Sequence, residues 1–440
     1  MKGGIIGTKP GSTRPMATAT DIDQPLALLG GPKAVEHEEE NLFHWPIVTS
    51  EDEQAVIDVL RAGTMSSSDI ALKFEEEWAA YNGTKYALSY PNGTMSLMAA
   101  MWAAGLRRGD EMICPSLTYW GSTMQILQIG ATVVFADVDP VTVCIDPNDI
   151  ERHITPRTKA IMVVHYCGHP CDMDAILPIA RKHRLKVIED VSHAHGALYK
   201  GRMVGTFGDV SAMSMMSGKS LAIGEGGMLV TDDLSIYEHA IAFSHYERHH
   251  MITEPALKPF GGLPLGGVKG RLNQTCAAMG RVQLRHYPQR MQEIQHAVNR
   301  FWDLLEGTPG IAPHRTTDPD STMGGWYCAL GHYRPEELGG LSVKRFAEAV
   351  AAEGSPTHPI GNFALHRHPV MNDVDIFGDG QPTRIAFSQR DLRQGEGALP
   401  VAEGMGARAF HIPWFKHDRP DSIARHAAAF RKVATQADKL

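Results

Sequence analysis

The chain has 440 residues, 43% hydrophobic and 21% charged, enough to bury a large core in two or more domains or in one large domain with an appendage. Its formal charge of -8 offers no basic field for nucleic acid, and no apolar run is long enough to span a bilayer, so neither nucleic acid nor membrane is expected as a partner. Of six cysteines only Cys167 and Cys171 lie close together; a C-x3-C without a second pair is poor ground for zinc, and reduced, mostly buried thiols in a cytoplasm are the expectation.

Residues 1–25, MKGGIIGTKPGSTRPMATATDIDQP, lack the apolar core of a signal peptide, and their Gly, Thr, Ser and Pro content predicts a mobile N-terminal leader. From about residue 50, helix-like and strand-like segments alternate, which predicts an α/β fold with helices packed on a mostly parallel sheet. SEDEQAVIDVLRAG (50–63) predicts a helix capped by Ser50, acidic in its first turn and stopped by glycine. LKFEEEWAAYNG (72–83) predicts a second helix, KYALSY a short strand, PNGT a turn, and MSLMAAMWAAGL (95–106) an apolar helix.

Further strands are expected at EMICPS (111–116), ATVVFADV (131–138), KAIMVVHY (159–166), KVIEDV (186–191) and GMLVTD (227–232), each apolar enough to be buried on both faces. Residues 273–307 are helical in period, with Pro288 expected to kink or divide them. This helix marks the expected boundary between a large domain, 26–285, and a linking helix with a smaller α+β C-terminal domain, 286–440. The latter holds SVKRFAEAVAAEG (342–354), a Pro/His-rich loop and a final helix around PDSIARHAAAFRKVATQADKL.

In an open α/β sheet, ligands bind beyond the carboxyl ends of strands, so the residues there carry the chemistry. Asn92-Gly93-Thr94 precede a helix whose free N–H groups suit a phosphate, although the same tripeptide is more often a turn with an N-cap. Glu189 and Asp190 end an apolar strand; an ionised carboxylate there needs a hydrogen-bonding or cationic partner, of which a protonated pyridine nitrogen is one. His193 and His195 form an i, i+2 pair with no third metal ligand at a recognisable spacing, and no metal is expected. Tyr119 and Trp120 suit either stacking on a heterocycle or the core, and the local context favours the core. In SMMSGKSLAIGEGGMLVTDD (214–233), Lys219 is either an ordinary surface lysine or an amine placed to form a Schiff base with a cofactor aldehyde.

The stretches YPNGTMSLMAAMWAAGLRRGDEMICPSLTY, GATVVFADVDPVTVCIDPNDIERHITPRTKAIMVVHYCGHPCDMDAI, VIEDVSHAHGALYKGRMVGTFGDVSAMSMMSGKSLAIGEGGMLVTDD and KGRLNQTCAAMGRVQL occur in that order. Together they resemble the DegT/DnrJ/EryC1/StrS family of pyridoxal-phosphate-dependent sugar aminotransferases, over most of the chain from LALLGG (26–31) to FHIPWF (410–415). The resemblance implies the fold-type I architecture, with pyridoxal 5'-phosphate (PLP) as cofactor. It matches Lys219 to the lysine that binds the cofactor aldehyde and carries the transferred proton, and Asp190 to the carboxylate paired with the ring nitrogen. His193 matches the Gln/His position beside the ring and Tyr119 the aromatic over its face, with Trp120 a packed neighbour. Gly93, Thr94 and Ser214 match phosphate-binding positions, Ser214 lying five residues before Lys219 in an S-x4-K pattern.

Two departures stand out. Met213-Ser214-Met215 replaces an aromatic-serine-aromatic triplet, and Lys269-Gly270-Arg271 stands where many members have N-Y-R. In relatives the latter position reaches the phosphate of the neighbouring subunit, so Lys269 implies a homodimer with the active site at the subunit interface. The implied reaction moves an amino group from glutamate or glutamine to a keto-sugar or keto-cyclitol. A branch that dehydrates sugars carries histidine in place of the lysine, and Lys219 argues against it; decarboxylation, oxidation or condensation by the same cofactor remains the alternative. A regulatory protein without turnover is disfavoured by Lys219, Asp190 and Ser214 together. The 245–267 loop is read equally as a solvated loop or as bordering the site, and His366 and His368 as parts of a solvated loop.

Overall fold

In the computed structural model, residues 23–37, 39, 41–67, 69–375, 378 and 390–440 are described. Residues 1–22, and with them most of the expected leader, lie outside the described residues.

The short apolar runs form the strands expected of them, because hydrophobic residues on successive positions demand burial on both faces. These are β1 (Tyr86–Tyr90), β2 (Glu111–Pro115), β3 (Thr132–Ala136), β4 (Thr158–Val164) and β5 (Lys186–Asp190). After a small hairpin of β6 (Leu198–Tyr199) and β7 (Arg202–Met203) come β8 (Val210–Ser214) and β9 (Gly227–Thr231). The main sheet has seven strands in the order β1-β9-β8-β5-β4-β2-β3. Only β9 runs antiparallel to its neighbours. The register sets Asp190 beside Val164 on one side and Ala212 on the other, so the end of β5 lies in mid-sheet. The sequence VSAMS of β8 escaped prediction because its two serines dilute the apolar run.

Thr49, not Ser50, caps the first helix (Ser50–Ala62). The Thr49 hydroxyl accepts from the Asp52 N–H while the Asp52 carboxylate accepts from the Thr49 N–H, a reciprocal box that fixes the helix start at Thr49. Pro288 does not divide the long helix either: Gln274–Leu304 is continuous over 31 residues. Its first half buries Ala277, Leu284 and Tyr287 in one core, and its second half buries Ile294, Val298 and Phe301 in another. That packing outweighs the roughly 3 kcal/mol that an interior proline costs.

The second core lies under a four-stranded antiparallel sheet, order β10-β11-β13-β12, made of β10 (Ile311–Pro313), β11 (Leu330–Tyr333), β12 (His358–Pro359) and β13 (Ala409–His411). Helices Val343–Ala352 and Pro420–Thr435 pack beside it. The N-terminal residues Leu26, Leu42, Phe43 and Trp45, expected with the large domain, pack into this C-terminal core. Glu353 anchors them, accepting from the N–H groups of Ala27 (2.7 Å) and Ala34 (3.0 Å) while paired with Lys432 at 2.9 Å. No described helix is long and apolar enough to cross a membrane.

Candidate active site

The turn after β1 is wedged against two strands. Asn92 caps the Gly93–Ala103 helix through its side chain, which accepts from the Met95 N–H at 2.8 Å. A Cβ on Gly93 would stand 2.5 Å from Ser214 Cβ and 2.7 Å from Ser214 Cα, so only glycine lets the helix start meet the end of β8. The N–H groups of Gly93 and Thr94 belong to the first turn, where helix geometry provides no acceptor. This leaves two donors and a positive dipole end beside the Ser214 hydroxyl, an arrangement suited to an anion.

Asp190 lies at the end of β5 and is buried. Its carboxylate accepts from the Ser122 hydroxyl at 2.7 Å and from the Ser192 N–H at 3.0 Å, and Ser122 is itself 3.0 Å from the Thr118 hydroxyl. Among the described residues it has no ion-pair partner, although a buried carboxylate is stabilised by one. His193 lies close by with its Nδ1 accepting from the Cys167 N–H at 3.3 Å and its ring centroid 4.7 Å from that of Tyr327. Burial, reinforced by Lys219, holds His193 well below the usual histidine range and therefore neutral. His195 points elsewhere, to Ser220 at 3.3 Å.

Between β8 and β9 the chain folds back on itself, with Met215 N–H donating to Gly226 at 2.8 Å and Ser217 N–H to Gly224 at 2.9 Å. Gly224 makes the turn at φ +91°, in the left-handed region. Lys219 sits inside this fold and is only 6% exposed, which removes the surface-lysine reading. The Trp45 indole N–H donates to the Lys219 carbonyl at 2.8 Å, and the Lys219 ammonium lies 4.0 Å from the centre of the Tyr327 ring. Burial above all pulls the amine below the ordinary lysine range, with the Cys328 sulfur, Asp190 and Cys167 opposing it. An amine that sheds its proton more easily is unprotonated for more of the time at neutral pH, and only the unprotonated form attacks a carbonyl or accepts a proton.

Tyr119 and Trp120 are not core residues: they are 48% and 47% exposed, their rings 5.1 Å apart. Lys269 is exposed beside Gly270, which packs on Tyr90 and Ser244, and it is not among the groups that Lys219 or Asp190 meets. The solvated-loop expectation fails for His366, which is buried with Ser116 Oγ 2.7 Å and Glu403 Oε1 3.1 Å away, and holds for exposed His368. The 245–267 loop is anchored by buried Arg248, ion-paired to Glu75 at 2.6 Å, while Phe260 and Leu263 are exposed. Ser122, Ser192, Trp45 and Tyr327 were not singled out from the sequence. Ser192 lies two residues past the strand end at Asp190 and was within reach of the strand-end rule; the others come from distant segments without a local signal.

A helix start with free donors, and a buried carboxylate and a buried amine that have no ion-pair partner among the described residues, fit a cofactor that carries an anionic group, a cationic ring nitrogen and an aldehyde.

Residues 46–425 match the model of the DegT/DnrJ/EryC1/StrS aminotransferase family. The chain is 39% identical over 361 residues to GDP-perosamine synthase of Escherichia coli O157:H7, covering 79% of this chain and 94% of that one. It is 33% identical over 431 residues to the L-glutamine:scyllo-inosose aminotransferase of Streptomyces griseus, covering 94% and 98%. The solved aminotransferase from Psychrobacter cryohalolentis superposes with a TM-score of 0.78 at 28% identity, over 90% of this chain and 99% of that one. The buried lysine and carboxylate thus stand within the fold of PLP-dependent enzymes, and the chain belongs to the DegT/DnrJ/EryC1/StrS aminotransferase family.

Proposed function

We propose that this protein moves an amino group from glutamine or glutamate to a keto-sugar or keto-cyclitol in sugar, cyclitol or antibiotic biosynthesis. The observation that carries the reading is the buried Lys219 amine, depressed in pKa, together with the buried carboxylate of Asp190, which has no ion-pair partner among the described residues. The names of the relatives supply the substrate classes: a glutamine donor and a cyclitol acceptor in one, a GDP-sugar product in the other.

When bound, PLP supplies an aldehyde carbon and an electron-withdrawing ring. In this reading the N–H groups of Gly93 and Thr94 and the Ser214 hydroxyl hold its phosphate. Asp190, oriented by Ser122 and Ser192, keeps the ring nitrogen protonated. Neutral His193 would lie beside the ring and the exposed Tyr119 would cover it. Lys219 would hold the cofactor through its amine and, when that amine is free, would take up and return a proton at Nζ. Lys269, solvent-exposed in one chain, serves the phosphate site of a second copy, which makes the enzyme a homodimer with its active site at the subunit interface. We place it in the cytoplasm, where its free cysteines stay reduced.

The test is a pair of half-reactions followed by absorbance. The purified yellow protein is expected to bleach with glutamine or glutamate and to recover colour with a keto-cyclitol or keto-sugar. Borohydride is expected to fix the cofactor on Lys219. Turnover of the same substrates by Lys219→Ala would refute the mechanism, and release of carbon dioxide or consumption of oxygen in place of amino transfer would refute the reaction class.

A further inference from the structure

Four cationic side chains are buried among the described residues: Lys219, Arg248, Lys416 and Lys432. Arg248 is paired with Glu75 at 2.6 Å and Lys432 with Glu353 at 2.9 Å, as buried charges require. Lys219 has no acid paired with it among the described residues, as the role proposed for it above requires. Lys416, only 3% exposed, also has none among the described residues.

Lys416 follows β13, its N–H donating to the Leu42 carbonyl at 3.1 Å, so it is clasped between the N-terminal segment and the C-terminal core. Its ammonium lies against the face of Trp414 and 5.0 Å from the centre of the Trp45 ring. Both rings lead to the active site. The Trp45 indole is the donor to the Lys219 carbonyl, and Trp414 packs on Tyr327, centroids 5.7 Å apart, whose ring carries the Lys219 ammonium. Two aromatic faces compensate only part of the cost of burying a cation; burial holds the amine well below the ordinary lysine range, its side-chain hydrogen bonds are left to a ligand, and an anion set against it favours the charged form.

We propose that Lys416 is an anion-recognition residue that receives the α-carboxylate of the amino-acid donor. This rests on the transamination reading above. Every amino-acid donor brings a carboxylate on the carbon that bears its amine, so a buried amine with no acid among the described residues, two aromatic rings from the transfer amine, meets the one charge that all such donors share. Lys416 thereby separates amino acids from neutral amines without touching the acceptor ring.

The test uses the PLP-loaded enzyme, following the donor half-reaction with L-glutamine and with L-glutaminamide, whose α-carboxylate is replaced by a neutral amide. The wild type is expected to require at least about tenfold more glutaminamide than glutamine for half-saturation, as a site built for a charged group rejects its neutral analogue. Lys416→Met is expected to raise half-saturation for glutamine about tenfold with little change in maximal rate, leave glutaminamide unmoved, and abolish the discrimination. Lys416→Arg, which keeps the charge, is expected to restore part of it, and the reverse half-reaction from the aminated acceptor is expected to be unaffected. Equal weakening of glutamine and glutaminamide in Lys416→Met would overturn the proposal in favour of packing alone, and loss confined to the aminated acceptor would overturn the donor assignment. Should Lys416→Met not fold, a wild type with equal half-saturation for glutamine and glutaminamide overturns it. A wild type that accepts no amino-acid donor refutes the transamination reading itself, whereas acceptance of glutamine without discrimination refutes only the role of Lys416.

Discussion

Replacing Gly93 by alanine adds one methyl group where the structure has no room. The new Cβ would meet Ser214 at 2.5 Å from its Cβ, 2.7 Å from its Cα and 2.9 Å from its backbone nitrogen, each roughly 1 Å inside carbon contact distance. A flexible side chain could yield, but two of these atoms are backbone of β8, which is held between β5 and β9. The helix start must therefore move. Overpacking of this kind costs about 1–3 kcal/mol, and the rigid partner places Gly93→Ala near the upper end. Alanine's helix propensity returns at most about 1 kcal/mol. The net loss of about 2 kcal/mol corresponds to a fall of a few degrees in the thermal midpoint of the cofactor-free protein. Because the displaced turn also carries the free N–H groups of Gly93 and Thr94, the stabilisation gained on adding PLP is expected to shrink as well. Thermal unfolding with and without PLP separates the two effects. A cofactor-free midpoint equal to that of the wild type, with full stabilisation by PLP, would refute the claim that the helix start is wedged on Ser214.

Asp190→Asn keeps the shape and the hydrogen-bonding neighbours Ser122 and Ser192 but removes the charge; PLP affinity is expected to fall by about 1.5–3 kcal/mol, and an unchanged titration curve would count against the pairing with the ring nitrogen. Burial pushes His195 and His245 down to about 3 and His411 and His426 to about 4. Each is neutral in the folded protein, while the unfolded chain takes up protons below the ordinary histidine value of about 6.5, so their contribution is whole above that pH and drains away toward pH 3–4 by up to about 1.4 kcal/mol per pH unit per group. Thermal midpoints measured from pH 7.5 to 4.5 are expected to fall steadily, and a flat profile would contradict the burial of neutral histidines. Lys432→Met leaves the Glu353 carboxylate buried and unpaired, a loss of about 3–5 kcal/mol. Because Glu353 also holds Ala27 and Ala34, protease cleavage is expected to appear first in residues 26–45, and an unchanged digestion pattern would refute the anchoring.

Much of the main sheet was legible in one dimension because burial on two faces leaves an unbroken apolar run, as in TVVFA of β3, and because Gly63 closes a helix in the left-handed conformation. β8 was not, since Ser211 and Ser214 break the run while β5 and β9 still bury the strand. Candidates at strand ends, Gly93, Asp190 and Lys219, were legible because the position of a ligand in an open α/β sheet follows from topology. Whether Lys219 was a solvated amine could not be read there. Trp45 reaches it from 174 residues away, and Tyr327 from beyond the long helix.

Patterns of period 2 and 3.6, caps and turn glycines act between neighbours in the chain, so residue order alone was enough for the elements and for the kinds of chemical group at their ends. The burial of a charge depends on segments that meet only after folding. The clasp of the N-terminal segment on the C-terminal core, the exposure of Tyr119 and the burial of the Lys416 amine are products of that meeting, because solvent exclusion and the placing of counter-charges are properties of packed space.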